Sequence, residues 1–307
     1  ATKGWVPLED DVTALEPVAP PTQRAIFAYG FASDYTAVKN LVNSSGVVAS
    51  DVTGVGTARS GLAAASYDGD KAVFAFGNTG SVTNLKNLVN NSGVVAADVT
   101  GVGTARERLA AASYGTGLAI FAHGTTGSAT AISNLVNTSG VIASDVSGVG
   151  TARFGLAASS FGGDKAIFGY GRPGSGNSSL TNLVSNVGVL SSDVTGVGTA
   201  RRDIAAASYG GDKGVFGYGI ASSSSNVTNK ISNVGVVATD TTGVGTARYY
   251  LAATGYGGDK AIFGFGSTGS VTGITNLVNN SGLVAADVSA VGTAREKPAA
   301  AGYSTSA

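Results

Sequence analysis

The hexapeptide Gly-Val-Gly-Thr-Ala-Arg at residues 54–59 decides the fold, because it returns five more times along the 307-residue chain. In the last copy Ala290 replaces the first glycine. The copies follow one another at a step of 47 residues, and once of 48. A unit of this length cannot bury its own apolar surface, so the units must stack on one another. Their arginines are Arg59, Arg106, Arg153, Arg201, Arg248 and Arg295.

Each unit consists of short apolar runs separated by Gly, Asn and Asp turns. Residues 62–106 show the pattern, with an Ala-rich run, an Asp-Gly-Asp turn, a run that contains phenylalanine, a polar stretch and two more short apolar runs. The pattern predicts four strands per unit and no helix. Four antiparallel strands in about 45 residues are typical of one propeller blade. The sequence therefore predicts an all-β, six-bladed β-propeller with four antiparallel strands per blade.

The side chains also assign strands to places in the blade. Residues 72–76, in the predicted second strand, are apolar on both faces, as expected for a sheet that is enclosed between two neighbours. The preceding strand, as in residues 109–113, is almost entirely alanine and serine. Small side chains suit the crowded strand nearest a propeller axis, so we expect this strand to be innermost.

The repeated part of the chain begins with the second strand of a blade and ends with the first strand of a blade. Residues 24–30 form a second strand without a first, and residues 299–303 form a first strand without a second. Pairing the two fragments would close a six-bladed ring and remove both exposed sheet edges. We therefore expect two parts: an N-terminal extended arm at residues 1–23 and a propeller at residues 24–307.

Composition argues against several classes of function. Lysine and arginine number 19, as do aspartate and glutamate, so no basic field is available to attract nucleic acid. No apolar run approaches the length of a membrane span. The chain has no cysteine, and its one histidine, His123, occupies a position that is aromatic in the other five blades. We expect no nucleic-acid partner, no membrane insertion, no metal and no cofactor.

Residues 246–266 carry a family resemblance. Thr-Ala-Arg at 246–248, the apolar run at 251–256 and Lys-Ala-Ile-Phe-Gly-Phe-Gly at 260–266 resemble the kelch repeat, in which a basic residue opens the inner strand and an apolar second strand ends in glycine. The chain departs from kelch because Gly266 is followed by Ser267 rather than a second glycine, and the third-to-fourth-strand turn has no tryptophan.

The Gly-Thr-Ala-Arg and Ala-Ile-Phe-Gly-Tyr-Gly motifs are more similar to repeats in predicted tail-fibre or virion proteins of phages. This resemblance covers residues 24–303. It implies a structural protein of a virus particle, located in the virion and containing no catalytic residue. A secreted location is the alternative.

Six aspartates, each eight residues before a repeat arginine, are the most regular charged feature. A ring of arginines could bind an anion, and a ring of aspartates could bind calcium. All six copies are kept, however, and a functional site ordinarily breaks symmetry, so we predict structural pairs that hold one blade to the next. The aspartates are Asp51, Asp98, Asp145, Asp193, Asp240 and Asp287.

The pair of residues after each Thr-Ala-Arg differs in every copy. In a four-stranded blade this position and the loop after the second strand lie on the same face. Drift at tolerant loop tips would give such variation, but aromatic and arginine side chains are also typical anchors for partners. We predict a recognition face, which includes Arg108, Phe154, Arg202, Tyr249 and Tyr250. The six pairs are Ser60-Gly61, Glu107-Arg108, Phe154-Gly155, Arg202-Asp203, Tyr249-Tyr250 and Glu296-Lys297.

The first 23 residues belong to no repeat and are rich in proline. Their apolar residues include Trp5, Val6, Leu8 and Leu15. We predict that they bind other virion subunits, while the propeller binds a host-surface glycan or protein. The function expected is that of a non-enzymatic tail-fibre, head-fibre or decoration component. A carbohydrate-binding propeller lectin is the alternative, and a glycan-processing enzyme is a further one.

Overall fold

The structure, a computed structural model, describes residues 23–304, and these residues are all-β with no helix. Eighteen strands form six antiparallel sheets of three strands each. The strands are β1 (Gln23–Phe31), β2 (Tyr35–Val42), β3 (Ala63–Tyr67), β4 (Lys71–Ala75), β5 (Lys86–Val89), β6 (Ala110–Tyr114), β7 (Leu118–Ala122), β8 (Ser133–Val136), β9 (Ala157–Phe161), β10 (Lys165–Gly169), β11 (Thr181–Val184), β12 (Ala205–Tyr209), β13 (Lys213–Gly217), β14 (Thr228–Ile231), β15 (Ala252–Tyr256), β16 (Lys260–Gly264), β17 (Thr275–Val278) and β18 (Ala299–Ser304).

The second strand is the middle strand of every sheet. In the β3-β4-β5 sheet, Phe74 pairs with Ala64 on one side and with Asn87 on the other. Every residue of β4 after Lys71 is buried. Apolar clusters lie between neighbouring sheets, as where Tyr29 of β1 packs against Phe74 of β4. The prediction of a sheet enclosed on both faces is confirmed.

The two ends of the described chain share one sheet. Strand β18 pairs with β1 in antiparallel register, from Gln23 opposite Ser304 to Ala28 opposite Ala299. This confirms the predicted pairing of residues 299–303 with residues 24–30. The Ala/Ser strands also contact one another in order, from β3 to β6, β9, β12, β15 and β18, and β18 in turn contacts β3.

The segment predicted as the fourth strand pairs with its sheet only at isolated positions. The segment after β5 joins the sheet only through two isolated bridges, Val89 to Val95 and Lys86 to Val99, whose registers differ by one residue. Between them the side chain of Asn87 donates to the Ala96 carbonyl at 2.9 Å. A side chain thus replaces a backbone donor, and the extra residue breaks the ladder as in a β-bulge. The other five sheets repeat this arrangement.

Candidate functional site

The second residues of the six variable pairs form a closed cycle of backbone hydrogen bonds, which we call the axial ring. Each N–H donates to the carbonyl of the preceding member, and the first donates to the last, at N···O distances from 2.6 to 3.1 Å. The ring therefore links one residue from every repeat. Its members are Gly61, Arg108, Gly155, Asp203, Tyr250 and Lys297.

All six members of the axial ring have left-handed backbone conformations, with φ between 52° and 64°. Glycine adopts this region freely, as Gly61 and Gly155 do, whereas residues with side chains are strained there. Four members nevertheless carry large or charged side chains. Such strain, retained where glycine would fit, is a feature of functional sites.

Arg108 and Asp203 form an ion pair across this ring. Arg108 Nη2 donates to Asp203 Oδ1 at 2.5 Å, and Arg202 Nε lies 3.3 Å from Asp203 Oδ2. The Asp203 side chain is 1% exposed. Burial raises its pKa, although Arg108 and Arg202 act in the opposite direction. Gly155 lies between the partners, and a Cβ there would lie only 2.5 Å from Asp203 Oδ1, so the pair depends on this glycine.

Aromatic rings surround the ion pair. The Arg108 guanidinium lies over Phe154, 4.5 Å from the ring centroid, and 5.4 Å from that of Tyr250. Lys297 Nζ lies 4.4 Å from the Tyr250 centroid, and the rings of Tyr249 and Tyr250 contact each other edge to face. Burial raises the pKa of Tyr250 to about 12. The ring members and their neighbours thus form one cluster, the ring-mouth cluster, of Arg108, Phe154, Arg202, Asp203, Tyr249, Tyr250 and Lys297.

The cluster contains all five residues predicted for the recognition face, and each of them is half-buried. Arg108 and Arg202 contact Asp203 instead of extending into solvent. The reason is the left-handed backbone, which directs the second residue of each pair towards the axis and so brings side chains from different repeats together.

A cavity of about 70 Å³ lies at the axial ring. It is lined by the six ring residues and by the next residue of each repeat, such as Leu62, Leu109 and Ile204. Further along the axis the lining changes to alanine and serine of the innermost strands. Within the described chain, Arg108 Nε and Asp203 Oδ2 are buried and have no hydrogen-bond partner. Both atoms belong to residues that line the cavity, and Asp203 Oδ2 also lies 3.3 Å from Arg202 Nε.

The six repeat arginines are fully buried and connect neighbouring sheets. Arg59 Nε donates to the Phe76 carbonyl at 3.0 Å, and Nη2 donates to Asn87 Oδ1 at 2.7 Å. The same guanidinium lies 4.2 Å from the ring centroid of Tyr29, which belongs to the adjacent sheet. Equivalent stacking on an aromatic ring occurs for Arg106, Arg201, Arg248 and Arg295. The sixth, Arg153, has His123 at the corresponding position.

The structure corrects the predicted pairs of aspartate and arginine. The aspartate near each Thr-Ala-Arg motif comes from the next repeat. Asp98 Oδ1, rather than the carboxylate of Asp51, lies 3.8 Å from Arg59 Nη1. Burial opposes ionisation of Asp98, but hydrogen bonds from Thr57 and Asn87 lower its pKa. Along the chain, a repeat arginine precedes each sheet and an aspartate follows it. The order of the strands within the sheet brings these two residues together. Corresponding contacts join Asp145 to Thr104, Asp193 to Arg153, Asp240 to Arg201, Asp287 to Thr246 and Asp51 to Thr293.

Two ring residues, Asp203 and Lys297, were not singled out from the sequence. The sequence pattern that could have identified them is the second position of each variable pair. Glycine at two of these positions, Gly61 and Gly155, indicates a left-handed backbone. The arm residues Trp5, Val6, Leu8 and Leu15 lie outside the described residues.

No protein-family model and no curated protein matches the chain. Residues 23–304 include no helix that is long and apolar enough to cross a bilayer. Over the same residues, no group of three or more His, Cys, Asp or Glu side chains could hold a metal ion.

Proposed function

We propose that the six sheets are the blades of a closed, kelch-like six-bladed β-propeller. The cycle of six backbone hydrogen bonds in the axial ring supports this proposal, because each blade contributes one residue and the last binds the first. The shared β18-β1-β2 sheet supports it as well. Each bulged segment after the third strand counts as the fourth, outer strand of its blade.

We propose that this propeller is a non-enzymatic structural component of a phage virion, as a tail fibre, head fibre or decoration. In this proposal residues 1–23 anchor it to other subunits, and the ring-mouth cluster binds a host-surface glycan or protein. The supporting observation is that the six-fold framework is uniform, whereas the strained residues at the ring mouth differ in every copy and meet in one cluster. The resemblance to phage repeats supplies the virion setting.

A substitution that copies the ring's own glycines tests the recognition role. The double variant Arg108→Gly/Tyr250→Gly fits the left-handed backbone and removes two central side chains of the cluster. Because it also leaves buried Asp203 without its Arg108 hydrogen bond, circular dichroism must first show that the variant is folded. We expect binding to host cells to fall by at least about tenfold, as for loss of hot-spot side chains. Lys71→Ser, at the start of β4, is the control. Equal binding by both variants would refute the role of the ring mouth.

Immuno-electron microscopy tests the virion setting. Antibody against this protein should mark a fixed position on intact phage particles that encode it. Antigen found only outside particles would refute the setting without affecting the binding test.

A free propeller lectin is the second candidate. Aromatic rings beside planar charged groups, as with Phe154, Arg108 and Asp203, are suited to sugar hydroxyls and sugar faces. Titration with a glycan distinguishes two forms of lectin, since one ligand per chain indicates the ring mouth and six indicate equivalent sites on the blades. A glycan-processing enzyme is the less favoured alternative, because Asp203 is held between two guanidinium groups.

A further inference from the structure

The turn after the third strand differs in two adjacent blades. Val187 and Val234 occupy a position that is serine in the other four copies, Ser45, Ser92, Ser139 and Ser281. Their exposures, 70% and 71%, are the largest of any large apolar residue within the described chain. Val189 and Val236, two residues further on, are 64% and 63% exposed. We call these four valines the valine patch. Val187 and Val234 interrupt the six-fold symmetry, whereas the position of Val189 and Val236 is an exposed valine or leucine in every copy.

A cavity of about 550 Å³ opens at the valine patch. Its walls include Leu183, Val189 and Val234. Phe161 also lines it, at a position that is tyrosine in the other five innermost strands, so this wall lacks a phenolic hydroxyl. The corresponding cavity beside Tyr256 measures about 280 Å³. Substitutions in the strand and in the turns thus coincide to give a larger and more apolar cavity, and exposed apolar surface of this kind marks an interaction site.

The start of the described chain lies on the same face as the valine patch. The Gln23 carbonyl accepts a hydrogen bond from Gly257 N, in the turn between β15 and β16. In the corresponding turn between β9 and β10, Gly162 lies against the Asn233 carbonyl next to Val234. Turns between the first and second strands of a sheet, such as the one at Gly257, therefore lie next to the turns that carry the valine patch.

The 22 residues before Gln23 have the length and composition to reach and cover this surface. At about 3.3 Å per residue they span up to roughly 70 Å when extended. They include Trp5, Val6, Leu8 and Leu15 as apolar side chains, and four acidic residues against one lysine. Lys165, at the edge of the cavity, is already paired with Asp164 at 2.7 Å, so the match between the arm and this surface rests on the apolar side chains.

We propose that residues 1–22 of one copy dock on the valine patch of a neighbouring copy, with Trp5 in the cavity beside Phe161. Each copy then offers one arm and one patch, which is a heterologous contact that extends from copy to copy. This inference rests on the proposed anchoring role of the arm and names the surface that the arm contacts.

The single tryptophan makes this inference testable in the full chain. Because Trp5 is the only tryptophan, its fluorescence reports the arm alone. In the docked state we expect a blue-shifted emission and protection from acrylamide, and both should disappear on dilution. In Val187→Ser/Val234→Ser the two positions take the serine of the other blades, and docking should weaken by about 30-fold. The control, Val47→Ser/Val94→Ser, removes two exposed valines of other blades, at the position that Val189 and Val236 occupy in the patch, and should leave Trp5 protected.

Other outcomes separate this inference from the proposed function. Equal Trp5 protection in both double variants would overturn the patch as the docking surface. Trp5 exposed in the isolated protein but buried in phage particles would overturn the patch and leave the anchoring role intact. Protection that persists on dilution in a monomer, yet is lost in Val187→Ser/Val234→Ser, would overturn docking between copies and the anchoring role together.

Discussion

Replacing His123 with tyrosine should stabilise the protein, and more so in acid. His123 is fully buried, and neither ring nitrogen has a hydrogen-bond partner among the described residues. In three other blades a tyrosine occupies this position, and its hydroxyl donates to a backbone carbonyl, as Tyr170 does to Val197 at 3.0 Å. The repeats therefore show that tyrosine fits this site.

Three contributions set the size of the effect at neutral pH. An unsatisfied buried polar group costs about 1–3 kcal/mol, and a new hydrogen bond contributes about 1 kcal/mol. Stacking of Arg153 on the new ring, as Arg201 stacks on Tyr170 at 4.8 Å, would add about 0.5–2 kcal/mol. Together these contributions amount to about 2.5–6 kcal/mol, so we expect His123→Tyr to raise the free energy of unfolding by at least about 2.5 kcal/mol at pH 7.5.

The effect should grow as the pH falls. Burial, together with the charge of Arg153, lowers the pKa of His123 from 6.5 to about 3. Between these values the unfolded chain binds a proton that the folded chain does not, so acidification destabilises the histidine form. Above pH 6.5 this contribution vanishes. At pH 5.0 it adds about 2 kcal/mol to the difference between the two proteins, at 1.36 kcal/mol for each pH unit.

Urea denaturation of both proteins at pH 7.5, 6.0 and 5.0 measures this difference. The aspartates titrate alike in both proteins, so their contributions cancel. Tyr170→His is the matched control, because it buries a second histidine at an equivalent position and should make stability more sensitive to acid. A difference between His123→Tyr and the unmodified protein that is constant across this pH range would refute the reasoning.

Three further predictions concern the framework. Ending the chain after Pro298 removes β18 and unpairs β1, so the melting temperature should fall by at least about 10 °C; an unchanged value would contradict ring closure. Gly155→Ala should cost about 2 kcal/mol more than Gly61→Ala in urea denaturation, since both have positive φ but only the former Cβ meets Asp203 at 2.5 Å; equal losses would contradict this. Arg59→Met removes three hydrogen bonds and a buried charge, so unfolding should become about 3–5 kcal/mol easier; a loss below about 1 kcal/mol would show that the framework does not depend on it.

The sequence by itself determined the repeat, the strands and the pairing of the chain ends. These features depend on local periodicity and on the phase of the repeat, both of which can be read along the chain. The apolar second strand at residues 72–76 and the pairing of residues 24–30 with residues 299–303 follow from such patterns. The sequence also showed that His123 occupies an aromatic position, because the other five copies have tyrosine or phenylalanine there.

Only the tertiary structure decided which repeats supply the partners in each contact. Asp98 rather than Asp51 lies near Arg59, because Arg59 precedes and Asp98 follows the strands of the same sheet, β3-β4-β5. Arg108 reaches Asp203 across Gly155 because three successive ring residues converge on the axis. The fourth segment of each sheet is reduced to isolated bridges because a side chain such as that of Asn87 replaces a backbone donor. Such contacts join residues far apart in sequence, and periodicity specifies which residue types recur but not which copies meet.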